Sequence, residues 1–505
     1  MPKYEPPATK MIPTGIQGLD DVLLGGILPV GFYLIQGDPG SGKTTLALQY
    51  IQRQLAAGES CLYVSLTETR ADLDNACRSH GWSIEGLSLR DLTRSAAALQ
   101  TEDSVFHPAD TELSEIMKVV LDDVERLQPK HVVFDGLSEL RLLSGEPLRY
   151  RRQLISLKEF FAQRGATVLL LDDRSSAMAG FQPESLMGGN IVLERYLPAY
   201  GRARRRLYVT KVRGANFREG YHDYEIVTGG IVVHTRLVAG EHHEQFAQEE
   251  LRASGIAELD QMLCGGLHAG STTLLLGPAG SGKSTISIQF AVNAMDQGAK
   301  AAVYIFDEVL HILSERAEKL CTSKQGGFKA YRDEGLLHIQ QVDPAELSPG
   351  AFAHEVRRMV DEGARVVIID SLNGYLNAMP DERLLTTHLH ELFSYLNQKG
   401  VLTIIVVAQH GMIVGAGSAA DVDISYLADS VLLFRYFEAK GEVRQALSVF
   451  KKRTGPHERT IRELVIDGRG VHVGEPLTQF RGVMTGVPQY ETASLPEVPG
   501  RRAEG

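Results

Sequence analysis

Two glycine-rich loops of one pattern occur in this chain 240 positions apart, counted from Lys43 to Lys283. The first reads Gly37-Asp38-Pro39-Gly40-Ser41-Gly42-Lys43-Thr44 and the second Gly277-Pro278-Ala279-Gly280-Ser281-Gly282-Lys283-Ser284. Both fit G-x-x-x-x-G-K-[ST], each between a β-type apolar run and a helical pattern. Backbone N–H groups can wrap a phosphate only where no Cβ blocks the approach, and the following helix turns its positive end to the same anion. The candidate phosphate binders are therefore Gly37, Asp38, Gly40, Ser41, Gly42, Lys43, Thr44 and Thr45 in the first loop. In the second they are Gly277, Gly280, Ser281, Gly282, Lys283, Ser284 and Thr285. In such loops the lysine reaches the β- and γ-phosphates of ATP and the hydroxyl of Thr44 or Ser284 ligates Mg²⁺.

The repetition extends past the loops. Thr14-Gly15-Ile16-Gln17-Gly18-Leu19-Asp20 with Gly25-Gly26 is answered by Ser254-Gly255-Ile256-Ala257-Glu258-Leu259-Asp260 with Gly265-Gly266, and Lys211-Val212-Arg213 by Lys451-Lys452-Arg453. A period of this length is a whole domain, not a solenoid unit. We therefore expect two homologous domains, residues 1–240 and 241–487, joined through Leu237–Arg252, with a disordered tail over 488–505. Strands alternating with helices predict an α/β class with parallel central sheets. The predicted strands are Phe32–Gln36, Cys61–Leu66, His131–Phe134 and Thr167–Leu171, then Thr272–Leu276, Ala301–Phe306, Val366–Ile369 and Val401–Val407. Continuous apolar runs suit strands buried on both faces. Asp135 and Asp370 follow two of these strands, where ligands of open α/β sheets bind, and are candidate magnesium ligands.

A length of 505 residues allows sizeable cores, and 43% hydrophobic with 23% charged residues is ordinary for a globular chain. No apolar stretch reaches spanning length, and the start carries no signal-peptide core, so a cytoplasmic, non-membrane setting is expected. Four cysteines without C-x-x-C spacing point to reduced thiols. A net charge of −11 argues against extended nucleic-acid binding. One basic segment, Arg202, Arg204, Arg205, Arg206, Lys211 and Arg213, opposes that trend. It reads either as a solvated β-hairpin or as a cluster aimed at phosphate across a subunit boundary.

These motifs together resemble the KaiC family of tandem ATPases, over roughly Thr14 to Gly486. Val449-Phe450-Lys451-Lys452-Arg453 and Phe480-Arg481-Gly482-Val483-Met484-Thr485-Gly486-Val487-Pro488 add to the likeness. The resemblance implies two RecA-like P-loop NTPase domains, a homo-hexameric double ring, and ATP with Mg²⁺ bound between neighbouring subunits. It implies acidic activators of the attacking group after the second strand, here Asp307 and Glu308 in the second domain. The first domain has Thr67-Glu68, leaving Glu68 alone. Glu308 is also a candidate magnesium ligand. Lys211 and Arg213, like Lys451 and Arg453, would reach the neighbour's γ-phosphate. Thr454 stands where the family has glycine. The family's second ring phosphorylates itself on a Ser-Thr pair; Ser425 matches the serine, and Tyr426 replaces the threonine. A small KaiB-like regulatory protein on the first ring is a further implied partner.

Three readings follow. The first is a hexameric ATPase with serine autokinase activity in its second domain, acting as a timing or signalling hub. The second is an ATPase-only, nucleotide-gated scaffold. The third, a RecA- or helicase-like DNA motor, is opposed by the acidic balance and the family-specific elements.

Overall fold

The computed structural model describes residues 10–93, 108–174, 183–198, 201–238, 250–321, 326–343, 345–377, 385–409, 425–467, 470–483 and 489–490. The chain divides into two units, Met1–Arg236 and Leu237–Gly505. Each is built on a nine-stranded sheet.

The first unit contains β1 Phe32–Gly37, β2 Cys61–Ser65, β3 Ser88–Asp91, β4 His131–Asp135, β5 Thr167–Asp173, β6 Gly189–Tyr196, β7 Arg204–Val212, β8 His222–Val227 and β9 Gly230–His234. They lie in the order β3-β2-β4-β5-β1-β6-β7-β8-β9. The second opens with a two-residue pair, β10 Leu251–Arg252 and β11 Leu267–His268. Its sheet comprises β12 Thr272–Gly277, β13 Lys300–Ile305, β14 Leu337–Gln341, β15 Ala364–Asp370, β16 Leu402–Ala408, β17 Ser430–Ala439, β18 Glu442–Lys452, β19 Ile461–Asp467 and β20 Gly470–Pro476. The order β14-β13-β15-β16-β12-β17-β18-β19-β20 repeats the first topology strand for strand. A last pair joins β21 Phe480–Arg481 to β22 Gln489–Tyr490.

All eight predicted strands are present, each within two residues of its expected ends. The sheets are not parallel throughout. The six strands from β3 to β6 run parallel, and β6 to β9 continue as antiparallel hairpins, as do β17 to β20. Of the basic segment, Arg204, Arg205, Arg206 and Lys211 lie on β7, with Arg202 just before it and Arg213 just after, and Arg204 is buried. Both ends of the expected linker are structured: Leu237 joins the second unit's core and Leu251–Arg252 pairs with Leu267–His268. The tail expected from 488 begins with a paired segment, because Gln489 and Tyr490 find backbone partners in Arg481 and Phe480.

Side chains of a strand alternate between faces, and each central strand feeds two cores. On β1, Phe32 and Leu34 pack on one face with Phe134, Leu154 and Phe161, while Tyr33 and Ile35 pack on the other with Leu48, Ile51 and Leu193. The second unit does the same with Leu274 on one side and Leu275 on the other. Truncating one such buried leucine or isoleucine to alanine costs about 2–5 kcal/mol. The Thr/Ser-Gly-Ile…Asp elements are structural. Asp20 Oδ1 accepts from the Thr14 amide at 2.7 Å and its hydroxyl at 2.6 Å, and Asp260 Oδ1 accepts from Ser254 at 2.6 and 2.8 Å. Gly15 and Gly255, both at φ +80°, supply the left-handed turn each knot needs.

Among the described residues no helix is long and apolar enough to cross a membrane.

Candidate phosphate sites

Each glycine-rich loop leaves the C-terminal end of the strand at the centre of its sheet, β1 or β12, and enters a helix, Lys43–Ala56 or Lys283–Asp296. Gly40 and Gly42 (φ +75° and +98°), like Gly280 and Gly282 (+77° and +97°), take the left-handed backbone that turns successive N–H groups inward. A Cβ on Gly42 would lie 2.6 Å from Ile226 Cδ1, and one on Gly282 2.6 Å from Ile466 Cδ1. Ser41 Oγ is buried in the first cradle without a hydrogen-bond partner among the described residues. A left-handed glycine cradle, inward amides and a spare buried hydroxyl fit a phosphate group.

Lys43 Nζ donates to Gly37 O at 2.9 Å and Asp38 O at 3.2 Å and pairs with Asp173 Oδ1 at 2.7 Å. Lys283 Nζ donates to Gly277 O at 2.8 Å and Pro278 O at 2.6 Å. Burial pushes the Lys283 ammonium down to about 8. Thr44 Oγ1 lies 3.4 Å from Asp135 Oδ2, which also accepts from Tyr63 Oη at 2.7 Å. Ser284 faces Asp370 in the matching place of the second unit. Burial raises both carboxyls above their usual range, and these hydrogen bonds oppose the rise. Thr45 and Thr285 continue the two helices, with Thr285 buried.

Among the described residues no group of three or more His, Cys, Asp or Glu is arranged to hold a metal. A hydroxyl beside one carboxylate suits Mg²⁺, which keeps waters and phosphate oxygens as its other ligands.

The acids after the second strand behave differently in the two units. Glu68 follows Ser65, whose hydroxyl accepts from the Glu68 amide at 3.0 Å and donates to its carbonyl at 2.7 Å. Burial first, then the neighbouring Asp135 charge, raises the Glu68 carboxyl. A half-buried carboxylate beside the hydroxyl–Asp pair can polarise a water. In the second unit Asp307 accepts from Ser371, while Glu308 is held by both Arg316 nitrogens, at 2.7 and 3.1 Å. Strand register explains the first contrast: Ser65 pairs with Asp135 and Ile305 with Asp370, which sets Gly136 in the place of Ser371. Thr67 and Gly136 thus replace Asp307 and Ser371 together, and a Cβ on Gly136 would sit 3.1 Å from Thr67 Cγ2.

The Lys-x-Arg elements lie elsewhere. Lys211 pairs in register with Asn190, and Asn190 with Leu34, whereas the loop leaves β1 after Gly37. Val212 is level with Tyr33 through Gly189, four residues or about 13 Å along the strand from Gly37. Lys211 Nζ donates to Glu184 O at 2.5 Å and Arg213 Nη2 to Ser185 O at 2.8 Å, both on the 3₁₀ turn Pro183–Leu186. Burial, then Arg213, lowers the Lys211 ammonium. In the second unit Lys451 Nζ donates to Ala428 O at 2.7 Å, and the Arg453 amide to Asp429 O at 2.9 Å. These carbonyls follow the 3₁₀ turn Ser425–Leu427, which precedes β17. The side chain of Ser425 and the stretch 421–424 lie outside the described residues; Tyr426 is exposed. The structure therefore groups the turn of Ser425 and Tyr426 with Lys451 and Arg453, and separates them from the phosphate loop of their own unit. Thr454 keeps an ordinary φ, because the left-handed position falls on Gly455 (φ +120°), whereas the first unit uses Gly214 (φ +83°).

Sequence reasoning did not single out Asp173, Arg316, Ser371 or Tyr63. Asp173 left a signal: the apolar run from Thr167 ends in two acids, as the run before Asp135 ends in one.

Comparison with known proteins yields one consistent result. A family model described as "ATPase: KaiC" matches twice, over residues 12–238 and 252–478. The circadian clock oscillator protein KaiC of Prochlorococcus marinus subsp. pastoris is 26% identical over 501 residues, covering 96% of each chain. The circadian clock protein KaiC3 of a Synechocystis species is 26% identical over 487 residues, covering 95% of each. KaiC of Synechococcus elongatus is 25% identical, covering 94% of this chain and 91% of its own.

Proposed function

Since this chain belongs to the KaiC ATPase family, with two tandem RecA-like domains, we propose that it is a hexameric ATPase whose second domain phosphorylates its own chain on Ser425. The observation that carries this reading is the separation just described. In each unit the phosphate loop and its hydroxyl–Asp pair occupy one end of the sheet, and the Lys-x-Arg element the other. Cations so far from their own loop are available to a neighbouring subunit's loop, which favours ATP bound at subunit boundaries.

In this reading Lys43 and Lys283 bind the β- and γ-phosphates, and Thr44 with Asp135, or Ser284 with Asp370, hold Mg²⁺. The metal, when bound, offsets charge on the phosphates. Glu68 in the first domain, and Glu308 with Asp307 in the second, accept the proton of the attacking group. Lys211 and Arg213, or Lys451 and Arg453, offset charge developing on the neighbour's γ-phosphate, which makes hydrolysis depend on assembly. Ser425 is the acceptor hydroxyl. Tyr426 carries its hydroxyl farther out on a rigid ring, which disfavours it as a second acceptor. The first domain is the surface for a small KaiB-like regulator, and the assembly works as a timing or signalling hub in the cytoplasm.

An ATPase-only scaffold is favoured by one observation, the Arg316 clamp on Glu308. Incubation with Mg-ATP followed by phosphopeptide mapping, with Lys283→Ala as control, separates the readings. Phosphate on Ser425 that is absent from the control supports the kinase. An unmodified chain that still hydrolyses ATP leaves the scaffold. Sedimentation with and without ATP tests the hexamer.

A further inference from the structure

The two phosphate loops have the same shape but not the same claim on their lysine. An ammonium has three hydrogens to donate. Lys43 commits them to Gly37 O, Asp38 O and the Asp173 carboxylate. Lys283 uses Gly277 O and Pro278 O, and among the described residues meets no third acceptor. Strand register identifies the cause. Gly37 is level with Asp173 at the end of β5, and Gly277 is level with Ala408 at the end of β16. The second unit therefore has a methyl group where the first has a carboxylate.

β5, which ends in Asp173, lies in the sheet between β4, which ends in Asp135, and β1, which feeds the loop. Asp173 thus stands on the same strand-end edge as Asp135, the edge on which a terminal phosphate would meet Lys43. An incoming triphosphate must take Lys43 from Asp173 and lie beside a carboxylate of the same sign. A diphosphate also meets Lys43, through its β-phosphate, but carries no γ-phosphate to lie beside that carboxylate.

We propose that Asp173 is a selectivity residue of the first phosphate site: its carboxylate competes with the terminal phosphate of a nucleoside triphosphate for Lys43, so this site favours the diphosphate more than the second site does. Selectivity by a placed like charge is a difference between two affinities and needs no new contact to the favoured ligand. The inference rests on the reading of both loops as nucleotide sites.

The test uses the full chain with one loop silenced, Lys283→Ala to read the first site and Lys43→Ala to read the second. Calorimetric titration with ATPγS and with ADP, both in Mg²⁺, gives two affinities per site. Asp173→Asn keeps the shape and removes the charge; it is expected to tighten ATPγS about tenfold at the first site and ADP less than about threefold. Ala408→Asp is expected to do the reverse at the second site, weakening ATPγS more than ADP. Equal changes for both nucleotides, or none, in Asp173→Asn overturn the proposal. Should that variant fail to fold by circular dichroism, Asp173→Ser and the Ala408→Asp arm decide it by the same criterion. Absence of binding of either nucleotide at the unaltered first site overturns the nucleotide reading itself, and the selectivity with it.

Discussion

The two units share a topology strand for strand, yet their phosphate sites distribute charge differently. In the first, Lys43 is paired with Asp173, and among the described residues Glu68 has no arginine clamp comparable to that on Glu308. In the second, Lys283 donates to two carbonyls and, among the described residues, forms no ion pair, while Asp307 is bonded to Ser371 and Glu308 is clamped by Arg316. Among the described residues the lysine without an ion pair is thus in the second site and the less restrained carboxylate in the first. Duplication preserved the backbone that makes a phosphate cradle, while single residues at strand ends reset what each cradle does. A first site with an unclamped Glu68 suits hydrolysis by water. A second site with a spare ammonium hydrogen suits holding a triphosphate for transfer.

The strongest attack on this comparison is removal of the cations proposed to act on a neighbouring subunit. Arg213→Ala, measured with the second loop silenced by Lys283→Ala, is expected to lower steady-state ATP hydrolysis by about 10³-fold. Arg453→Ala should do the same to the second site in a Lys43→Ala background. Activity that survives in either case means that the sheet-end cations do not serve a neighbour. Next in size is the general base. Glu68→Gln should cost the first site about 10²-fold in kcat with little change in KM. Glu308→Gln should cost the second site less in hydrolysis than Glu68→Gln costs the first, because Arg316 already holds that carboxylate. Equal losses would remove the contrast.

A smaller effect is expected from Arg316→Ala. Freeing Glu308 should raise second-site hydrolysis about threefold. A fall instead would make Arg316 a positioning residue and the clamp a productive one.

The smallest effect concerns stability. Asp172, bonded to Arg141 at 2.5 Å, is pushed up to about 6 by burial, with the arginine opposing the rise. Val407 occupies the matching place in β16, level with Leu276 as Asp172 is with Gln36. A carboxyl whose folded value is raised binds more protons folded than unfolded between its unfolded value near 4 and about 6. Stability from this group therefore increases as pH falls through 6, by at most about 1.4 kcal/mol per pH unit. Between pH 6 and 5 the wild type should gain on Asp172→Asn by about 2–4 °C in the first unit's melting transition. The second unit's transition should not move between the two proteins. No relative gain would mean that Arg141 holds Asp172 charged at no cost.

Much of this fold can be read from the residues. A G-x-x-x-x-G-K-[ST] loop works only between a strand and a helix, so two copies in register fix two α/β domains and the strand that feeds each loop. The apolar runs locate the parallel strands because strands buried on both faces admit little else. Edge strands such as Ser88–Asp91, with a half-exposed side-chain pattern, and the antiparallel hairpins from Gly189 and Ser430 carry weaker patterns and stand out only once paired.

Identity of residue types, order along the chain and the 240-residue offset sufficed to locate the glycine turns, the hydroxyls that follow them, and Asp135 and Asp370 at their strand ends, since those positions depend on local backbone and on neighbours a few residues away. The pairing of Lys43 with Asp173, of Glu308 with Arg316 and of Asp307 with Ser371 was decided by the folded chain alone. Asp173 stands 130 positions from Lys43, and β5 meets β1 only through the sheet. Which carboxylate reaches which cation depends on strand register, and register is set by packing across the whole sheet, not by any segment of sequence.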